Sequence, residues 1–475
     1  MPVEMHSSFC IFANYMTTNS TICALSTPQG SGAIAVIRIS GKDTFKIVSG
    51  IFKSKSNKKL DVQNGYSIHL GSIIEKEEII DEVLISIFRS PRSFTGEDMV
   101  EISCHGSQFI QSKILQLLIN NGAQMASPGE FTMRAFMNGK MDLTQAEAIA
   151  DIINSKTKAS HKVAMNQMKG GITEELRTLR EKLLNFTSLI ELELDFSEED
   201  VEFANRTEFK ALVYEIKSKI ERLVNSFQLG NAIKEGIPVV IAGKPNVGKS
   251  TLLNHLLNEE KAIVSEIEGT TRDVIEDVVN IEGFLFRFID TAGLRETIDT
   301  IEKLGIDRTH KNIDKADIVL FMIDASEKND SIMAQVSNLT AETKEKTILV
   351  FNKVDKLEKN NSLPNIDYFP EDKQVAISAY NGNGINNLIK CLLSQKTLNN
   401  YDENEVLISN TRHFDVLSKS LASIARVEDG IQQGIPTDLI AIDIRETLYH
   451  LGEVTGTITT DEVLGNIFKN FCIGK

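Results

Sequence analysis

The sequence predicts a multidomain protein of α/β and α parts: a mixed α/β N-terminal domain, then a discontinuous helical domain whose two segments flank an inserted α/β domain. Three observations point there. Alternating strand-like runs mark residues 21–140, and three/four-spaced apolar residues dominate 141–235 and return in 398–475. Between them, over 236–397, continuous apolar runs of strand length each end in a glycine-rich or polar string.

Residues 1–20 read as a disordered extension, with Met16 as a second candidate start. The N-terminal domain, 21–140, carries the strand-like runs Ala33–Ile39 and Glu82–Phe88 and a helix around Phe109–Asn120. In the first helical segment, 141–235, Ile172, Leu176, Leu179, Leu183, Phe186, Ile190 and Leu194 form one apolar stripe for helix packing. The inserted domain, 236–397, is followed by the polar stretch Asn399–Glu405 and by helical patterning from Asn410 to Phe471.

Within the insert, Ile237–Ala242 leads into Gly243-Lys244-Pro245-Asn246-Val247-Gly248-Lys249-Ser250, and Thr251–Leu257 follows with helical spacing. Strand, glycine loop and helix are the context of a P-loop, whose backbone N–H groups and helix N-terminus cradle phosphates. Lys249 is placed for the β- and γ-phosphates and Ser250 for Mg²⁺. The run Phe284–Ile289 delivers Asp290-Thr291-Ala292-Gly293, where Asp290 suits magnesium and the Gly293 N–H the γ-phosphate. The third string, Asn352-Lys353-Val354-Asp355, tests the base: the Asp355 carboxylate can accept from guanine N1–H and N2–H₂, which adenine cannot offer. Asn352 and Lys353 brace that loop and cover the ring. Ser378-Ala379, after the short strand Gln374–Ile377, completes the base contacts. Together these make a Ras-like P-loop domain that binds and hydrolyses GTP, with Asn246, Val247 and Thr251 among its contacts.

Between the first two strings lies Ser265–Asp273, whose Gly269-Thr270-Thr271 suits a switch loop that brings Thr271 to magnesium. The position after Asp-X-X-Gly is Leu294, which cannot orient the attacking water as a glutamine does. The Asn246 side-chain oxygen, with loop atoms of 265–270, can hold a monovalent cation where an arginine finger would otherwise act.

Composition frames the site. A 475-residue chain has material for about three domains. At 41% hydrophobic, with no bilayer-length apolar run and no clear secretory signal, it is expected to be soluble. Five scattered cysteines fit a reducing, cytoplasmic compartment. A net charge of −15 excludes a surface that is basic throughout, so any RNA contact must be local or supplied by a partner.

Further strings carry a resemblance: Arg38-Ile39-Ser40-Gly41, Ser93–Asp98, Pro128–Thr132, Arg134-Ala135-Phe136, Asp142–Ala148 and the closing Cys472-Ile473-Gly474-Lys475. With the GTP strings they make the chain, from Thr21 onward, resemble the bacterial tRNA-modification GTPase family MnmE (TrmE). The resemblance implies a potassium-activated GTPase that forms a homodimer. With the flavoprotein MnmG, in a heterotetramer, such a GTPase adds an aminomethyl or carboxymethylaminomethyl group at C5 of the wobble uridine of certain tRNAs. It implies an N-terminal domain that binds a tetrahydrofolate one-carbon donor through Arg38, Glu101 and Lys140, with Lys475 closing over it. It implies Glu302 as the group that polarises the attacking water, Cys472 as a thiol near the modification chemistry, and Asn246, Ser265, Ile267 and Thr270 as the potassium contacts. Two departures from the family pattern are Ser265, where threonine is common, and Ser31, where some relatives carry a basic residue. The competing reading is a ribosome-assembly or regulatory GTPase, which would need neither the N-terminal domain nor the Cys-Ile-Gly-Lys end.

Overall fold

The computed structural model describes residues 20–56, 58–195, 206–259, 277–289, 313–337, 339–357, 366, 369–395, 405–469 and 471–474. Ser265, Ile267, Thr270, Thr271, Asp290, Thr291, Ala292, Gly293, Leu294, Glu302, Lys475 and the 1–19 segment lie outside the described residues. The chain forms two compact units, one from 1–153, 167–214 and 422–475, the other from 154–166 and 215–421.

The first unit holds a seven-stranded sheet of order β3-β4-β5-β6-β2-β1-β7. Its strands are β1 (Ile22–Leu25), β2 (Ile34–Ser40), β3 (Phe52–Ser54), β4 (Ser67–Glu75), β5 (Glu78–Phe88), β6 (Met99–His105) and β7 (Gln124–Met125). All neighbours run antiparallel except β1 and β7, which are parallel. Alternation decides the buried face: Ala35, Ile37 and Ile39 on β2 and Val83, Ile85 and Ile87 on β5 are sealed from solvent. They pack with helices α1 (Thr44–Ile51) and α2 (Gln108–Asn120) in one core. Burying each of these valine and isoleucine side chains contributes about 1.5–3 kcal/mol. Helix α3 (Glu130–Met137) and helix α4 (Leu143–Asn154) follow.

The expected apolar stripe lies on one long helix, α6 (Gly171–Asp195), after α5 (Lys158–Met168). Ile172, Leu176, Leu179, Leu183 and Ile190 are at most 1% exposed, and Phe186 stacks on Phe209 at 5.6 Å. Helix α7 (Arg206–Asn225) and helix α8 (Phe227–Glu235) lead to the second sheet.

That sheet has order β13-β12-β11-β8-β10-β9. Its strands are β8 (Ile237–Ala242), β9 (Asp277–Ile281), β10 (Phe284–Phe288), β11 (Ile318–Asp324), β12 (Thr347–Asn352) and β13 (Gln374–Ala376). It is parallel except for β9, which the sequence reading had not separated from its surroundings. β8 sits between β10 and β11, so the strand order reverses there, the switch point at which open α/β sheets bind ligands. Phe286 and Phe288 fill the core beneath it with Leu252, Leu320 and Val350. Helix α9 (Lys249–Glu259) follows β8, and α10 (Asn329–Ser337), α11 (Ala341–Glu345) and α12 (Ile385–Leu393) complete the cover. The last helices, α13 (Thr411–Gln433), α14 (Thr437–Thr455) and α15 (Asp461–Phe468), match the helical end the sequence predicted. Among the described residues no helix is long and apolar enough to cross a membrane.

Candidate active site

The P-loop turns between β8 and α9 because its backbone enters left-handed conformations at Gly243 (φ +142°) and Gly248 (φ +100°). Space makes the same demand: a Cβ on Gly243 would meet the Met322 carbonyl oxygen at 2.3 Å, and one on Gly248 the Asn352 amide at 2.3 Å. Asn246, exposed at the crest, takes φ +62° without being glycine. Strain held in a non-glycine residue at a loop crest is commonest where backbone must face a ligand.

Lys249 opens α9 and folds back, its ammonium donating to the Gly243 carbonyl (2.7 Å) and the Lys244 carbonyl (2.9 Å). Burial lowers its pKa, so the cation sits where water solvates it poorly and an anion would be strongly attracted. Ser250 and Thr251 follow in the first helical turn, and Val247 is buried under the loop. Lys244 is latched outward: its ammonium reaches Glu327 (2.8 Å) and Ser331 (3.2 Å), and the Lys244 bond is the main reason the Glu327 carboxyl titrates below its usual range.

Asn352 ties three segments together. Its amide donates to the Val247 carbonyl at 2.7 Å, and its side-chain oxygen accepts from the Ala379 N–H at 2.9 Å. The side chain is 3% exposed, so both bonds are made away from water. Lys353, at φ +65°, reaches Asp324 at 2.6 Å. Burial alone would raise the Asp324 carboxyl, but the bonds from Lys353 and Ser326 leave it below its ordinary value. Asp355 is exposed, and one of its oxygens accepts from the Ser378 hydroxyl at 2.5 Å. Thus Asn246, Val247, Gly248, Lys249, Ser250, Asn352, Lys353, Asp355, Ser378 and Ala379 gather at one end of the parallel sheet.

A second cluster lies in the N-terminal sheet. Arg38 on β2 and Glu101 on β6 are register partners, and the guanidinium donates twice to one Glu101 oxygen, at 2.8 and 3.0 Å. Arg38 also lies 5.2 Å from the Phe94 ring and 5.6 Å from that of Phe131. Its remaining arm points to the Gly474 carbonyl at 3.4 Å, which accepts from Ser26 as well. The chain end is therefore seated on the domain's first strand. Gly474, at φ +92°, approaches so closely that a Cβ would meet the Leu25 carbonyl oxygen at 2.2 Å. The Cys472 carbonyl accepts from the Gly129 N–H at 3.4 Å. Lys140 stands apart, donating to the Pro91 carbonyl at 3.0 Å.

Cys472 is exposed, whereas burial pushes the Cys23 thiol up to about 12 and those of Cys104 and Cys391 to about 11. Of these four, Cys472 alone is accessible to a reaction partner.

A family model described as "MnmE helical domain" matches residues 143–472, and one described as "GTP-binding protein TrmE N-terminus" matches 21–140. The tRNA modification GTPase MnmE of Christiangramia forsetii is 51% identical over 97% of this chain and all of its own length. That of Bacteroides thetaiotaomicron is 52% identical, covering 96% of this chain and 99% of the relative. The chain belongs to the MnmE family of tRNA modification GTPases. A solved structure, the G domain of the T. maritima FeoB iron transporter, is 27% identical over 34% of this chain and 98% of its own, with a TM-score of 0.23.

Two strings that carry the MnmE resemblance prove to be braces. Arg134 bonds Glu130 (2.8 Å), Glu97 (3.2 Å) and the Ser20 carbonyl (2.8 Å), and Glu97 accepts from Ser40 (2.7 Å). Ser93–Asp98 and Pro128–Thr132 are thus tied together, and each places one ring, Phe94 and Phe131, against Arg38. Sequence reading also passed over the Lys244–Glu327 latch, whose partners lie 83 residues apart.

Asn352→Ala would leave the Val247 carbonyl and Ala379 N–H buried and unpaired, at about 1–3 kcal/mol each. GTP affinity, measured with a fluorescent analogue, is expected to fall at least tenfold, and the melting temperature by several degrees. Unchanged affinity would show that the brace does not set the site.

Proposed function

We propose that this MnmE-family chain is a potassium-activated GTPase whose nucleotide cycle serves modification at C5 of the wobble uridine of certain tRNAs. It acts as a homodimer with the flavoprotein MnmG, installing an aminomethyl or carboxymethylaminomethyl group. The observation that supports this reading most is the Asn352 brace, which joins a phosphate loop to a guanine-selecting loop in a chain matched along its length by tRNA modification GTPases.

The donor sets fit the expected ions. Ser250 offers a hydroxyl oxygen at the start of α9, with Thr271 and Asp290 as its partners for Mg²⁺. Asn246 offers an amide oxygen from the strained P-loop crest, with Ser265, Ile267 and Thr270 completing a K⁺ shell. Ions held by these residues would supply charge neutralisation for the transferring phosphoryl group. Lys249 turns from the Gly243 and Lys244 carbonyls to the β- and γ-phosphates, Asp355 holds the guanine edge, and Glu302 orients the attacking water through a second water. If Asn246 works this way, hydrolysis in potassium should exceed that in sodium by about tenfold or more. Equal turnover in the two salts would sink the assignment.

For the one-carbon donor, Arg38 supplies a cation between two aromatic rings. Among the described residues only one Glu101 oxygen is engaged, which leaves the other as an acceptor for a pterin edge. Lys140 and Lys475 pair with the donor's carboxylates. A folate so held supplies the one-carbon unit; Cys472, seated with the chain end, faces that chemistry.

Nucleoside mass spectrometry of tRNA from cells lacking this protein tests the reading. The C5-aminomethyl-type wobble uridine should vanish, return with the intact chain, and fail to return with Cys472→Ser although GTP hydrolysis stays normal. An unchanged tRNA profile beside a ribosome-subunit defect would overturn the modification role. Full rescue by Cys472→Ser would make that thiol a bystander.

A further inference from the structure

The chain carries a net charge of −15, yet Lys53-Ser54-Lys55-Ser56-Asn57-Lys58-Lys59 packs four lysines into seven residues at the edge strand of the N-terminal sheet. Lysines on an edge strand deter pairing with other chains, and one would suffice for that. Lys55 pairs with Glu82. Lys53, Lys58 and Lys59 are exposed and make no ion pair among the described residues. Over 53–70 the only carboxylate is Asp61.

Two of these lysines, Lys55 and Lys58, line a cavity of about 400 Å³ whose other walls include Gln63, Ser67, Ile68 and His69. Its wall mixes polar groups with the apolar Ile68 and Leu70 and is partly fixed, since the His69 Nε2 and the Ser67 hydroxyl lie 2.9 Å apart. Tyr66, the chain neighbour of the lining residue Ser67, is 69% exposed. Its ring is positioned: it meets Phe88 edge-on at 5.9 Å, and its N–H donates to the Ile87 carbonyl at 2.7 Å. It takes φ +59°, an uncommon backbone for a bulky residue. An anchored aromatic with an open face, next to a cleft lined by lysine, polar and apolar groups, is a combination that binds single-stranded nucleic acid: ammonium groups track the phosphates while a base stacks on the ring.

We propose that Lys53, Lys55, Lys58, Lys59 and Tyr66 form the RNA-docking surface of this chain, taking an unpaired stretch of the tRNA. Lys58 and Lys59 contact phosphates, and Tyr66 stacks a base at the mouth of the cavity. This rests on the tRNA reading above. It also resolves how an acidic chain meets a polyanion, since the contact is confined to one locally basic patch.

The test is fluorescence anisotropy of a labelled, unmodified tRNA transcript titrated with the full chain at several KCl concentrations. Lys58→Glu/Lys59→Glu is expected to weaken binding about tenfold or more and to flatten the salt dependence of log K by about 1.5, the share of two phosphate contacts. Tyr66→Ala should weaken binding about tenfold and leave the salt slope unchanged. Lys169→Glu/Lys210→Glu, exposed lysines outside this sheet, controls for net charge and should bind nearly as wild type. Melting curves and GTP hydrolysis, read out by the other sheet, report that each variant folds. If wild type binds and both patch variants bind equally well, or the control weakens as much, this surface is overturned and the tRNA reading stands. If wild type binds no tRNA, both fall together.

Discussion

Replacing Asp355 by asparagine is expected to shift this chain from GTP to xanthosine triphosphate. The carboxylate sits in the turn after β12, where it accepts from the Ser378 hydroxyl. Guanine presents two donors, N1–H and N2–H₂, to such a pair of acceptors. Asparagine presents one acceptor and one donor, which mismatches guanine and matches xanthine, whose C2 carries a carbonyl in place of the amine. Ser378 can still donate to the amide oxygen, so the loop keeps its brace while the base preference inverts. Sites that hydrogen-bond a substrate group discriminate against its loss by up to about 10⁴–10⁵, and because Asp355 is exposed, a loss of about 10³ in GTP affinity is expected. Titration with fluorescent GTP and XTP analogues, together with turnover of each nucleotide, reads both arms. A variant that still prefers GTP would mean that other groups select the base.

How far the sequence carried the reading follows from the range of the interactions. The P-loop was legible because strand, glycine loop and helix are contiguous, and their chemistry is local. The α6 stripe was legible because helical period and burial coincide along one element. The Arg38–Glu101 pair was foreseen as charges but not as register partners, since strand pairing joins residues 63 apart only through the sheet's topology. The bonds of Asn352 to Val247 and Ala379 were foreseen only as bracing, for the same reason. The strings Ser93–Asp98 and Pro128–Thr132 illustrate the opposite limit. Charged and hydroxylic residues in a compact string resemble a ligand site, yet Arg134 ties Glu130 and Glu97 together and the two carboxylates also accept from Ser127 and Ser40. Only partners in space distinguish a brace from a binding group.

Lys249→Ala is expected to lower GTP turnover by on the order of 10²–10³, the loss typical of removing one preorganised group from a developing charge. Three facts set that expectation. Lys249 is the first residue of helix α9, so the Gly248 turn and the helix fix the direction in which its side chain leaves the backbone, and two carbonyls hold its ammonium. It is partly desolvated, which lowers its pKa and strengthens its pull on any phosphate that displaces the two carbonyls it now holds. Those carbonyls, of Gly243 and Lys244, belong to the loop that wraps the phosphates, so releasing the lysine to GTP frees the loop to turn its N–H groups inward. Alanine removes the charge and leaves the helix intact, because it is the best helix former. Nucleotide binding should fall less than turnover, because base contacts through Asp355 persist while the charge that grows in the transition state loses its partner. The measurement is single-turnover hydrolysis beside equilibrium titration of a GTP analogue. Equal losses in the two would assign Lys249 to ground-state binding, and no loss in either would remove the P-loop from the mechanism. Lys249→Arg separates charge from shape: its planar fork keeps the charge but cannot occupy the compact ammonium position, so turnover should stay well below wild type.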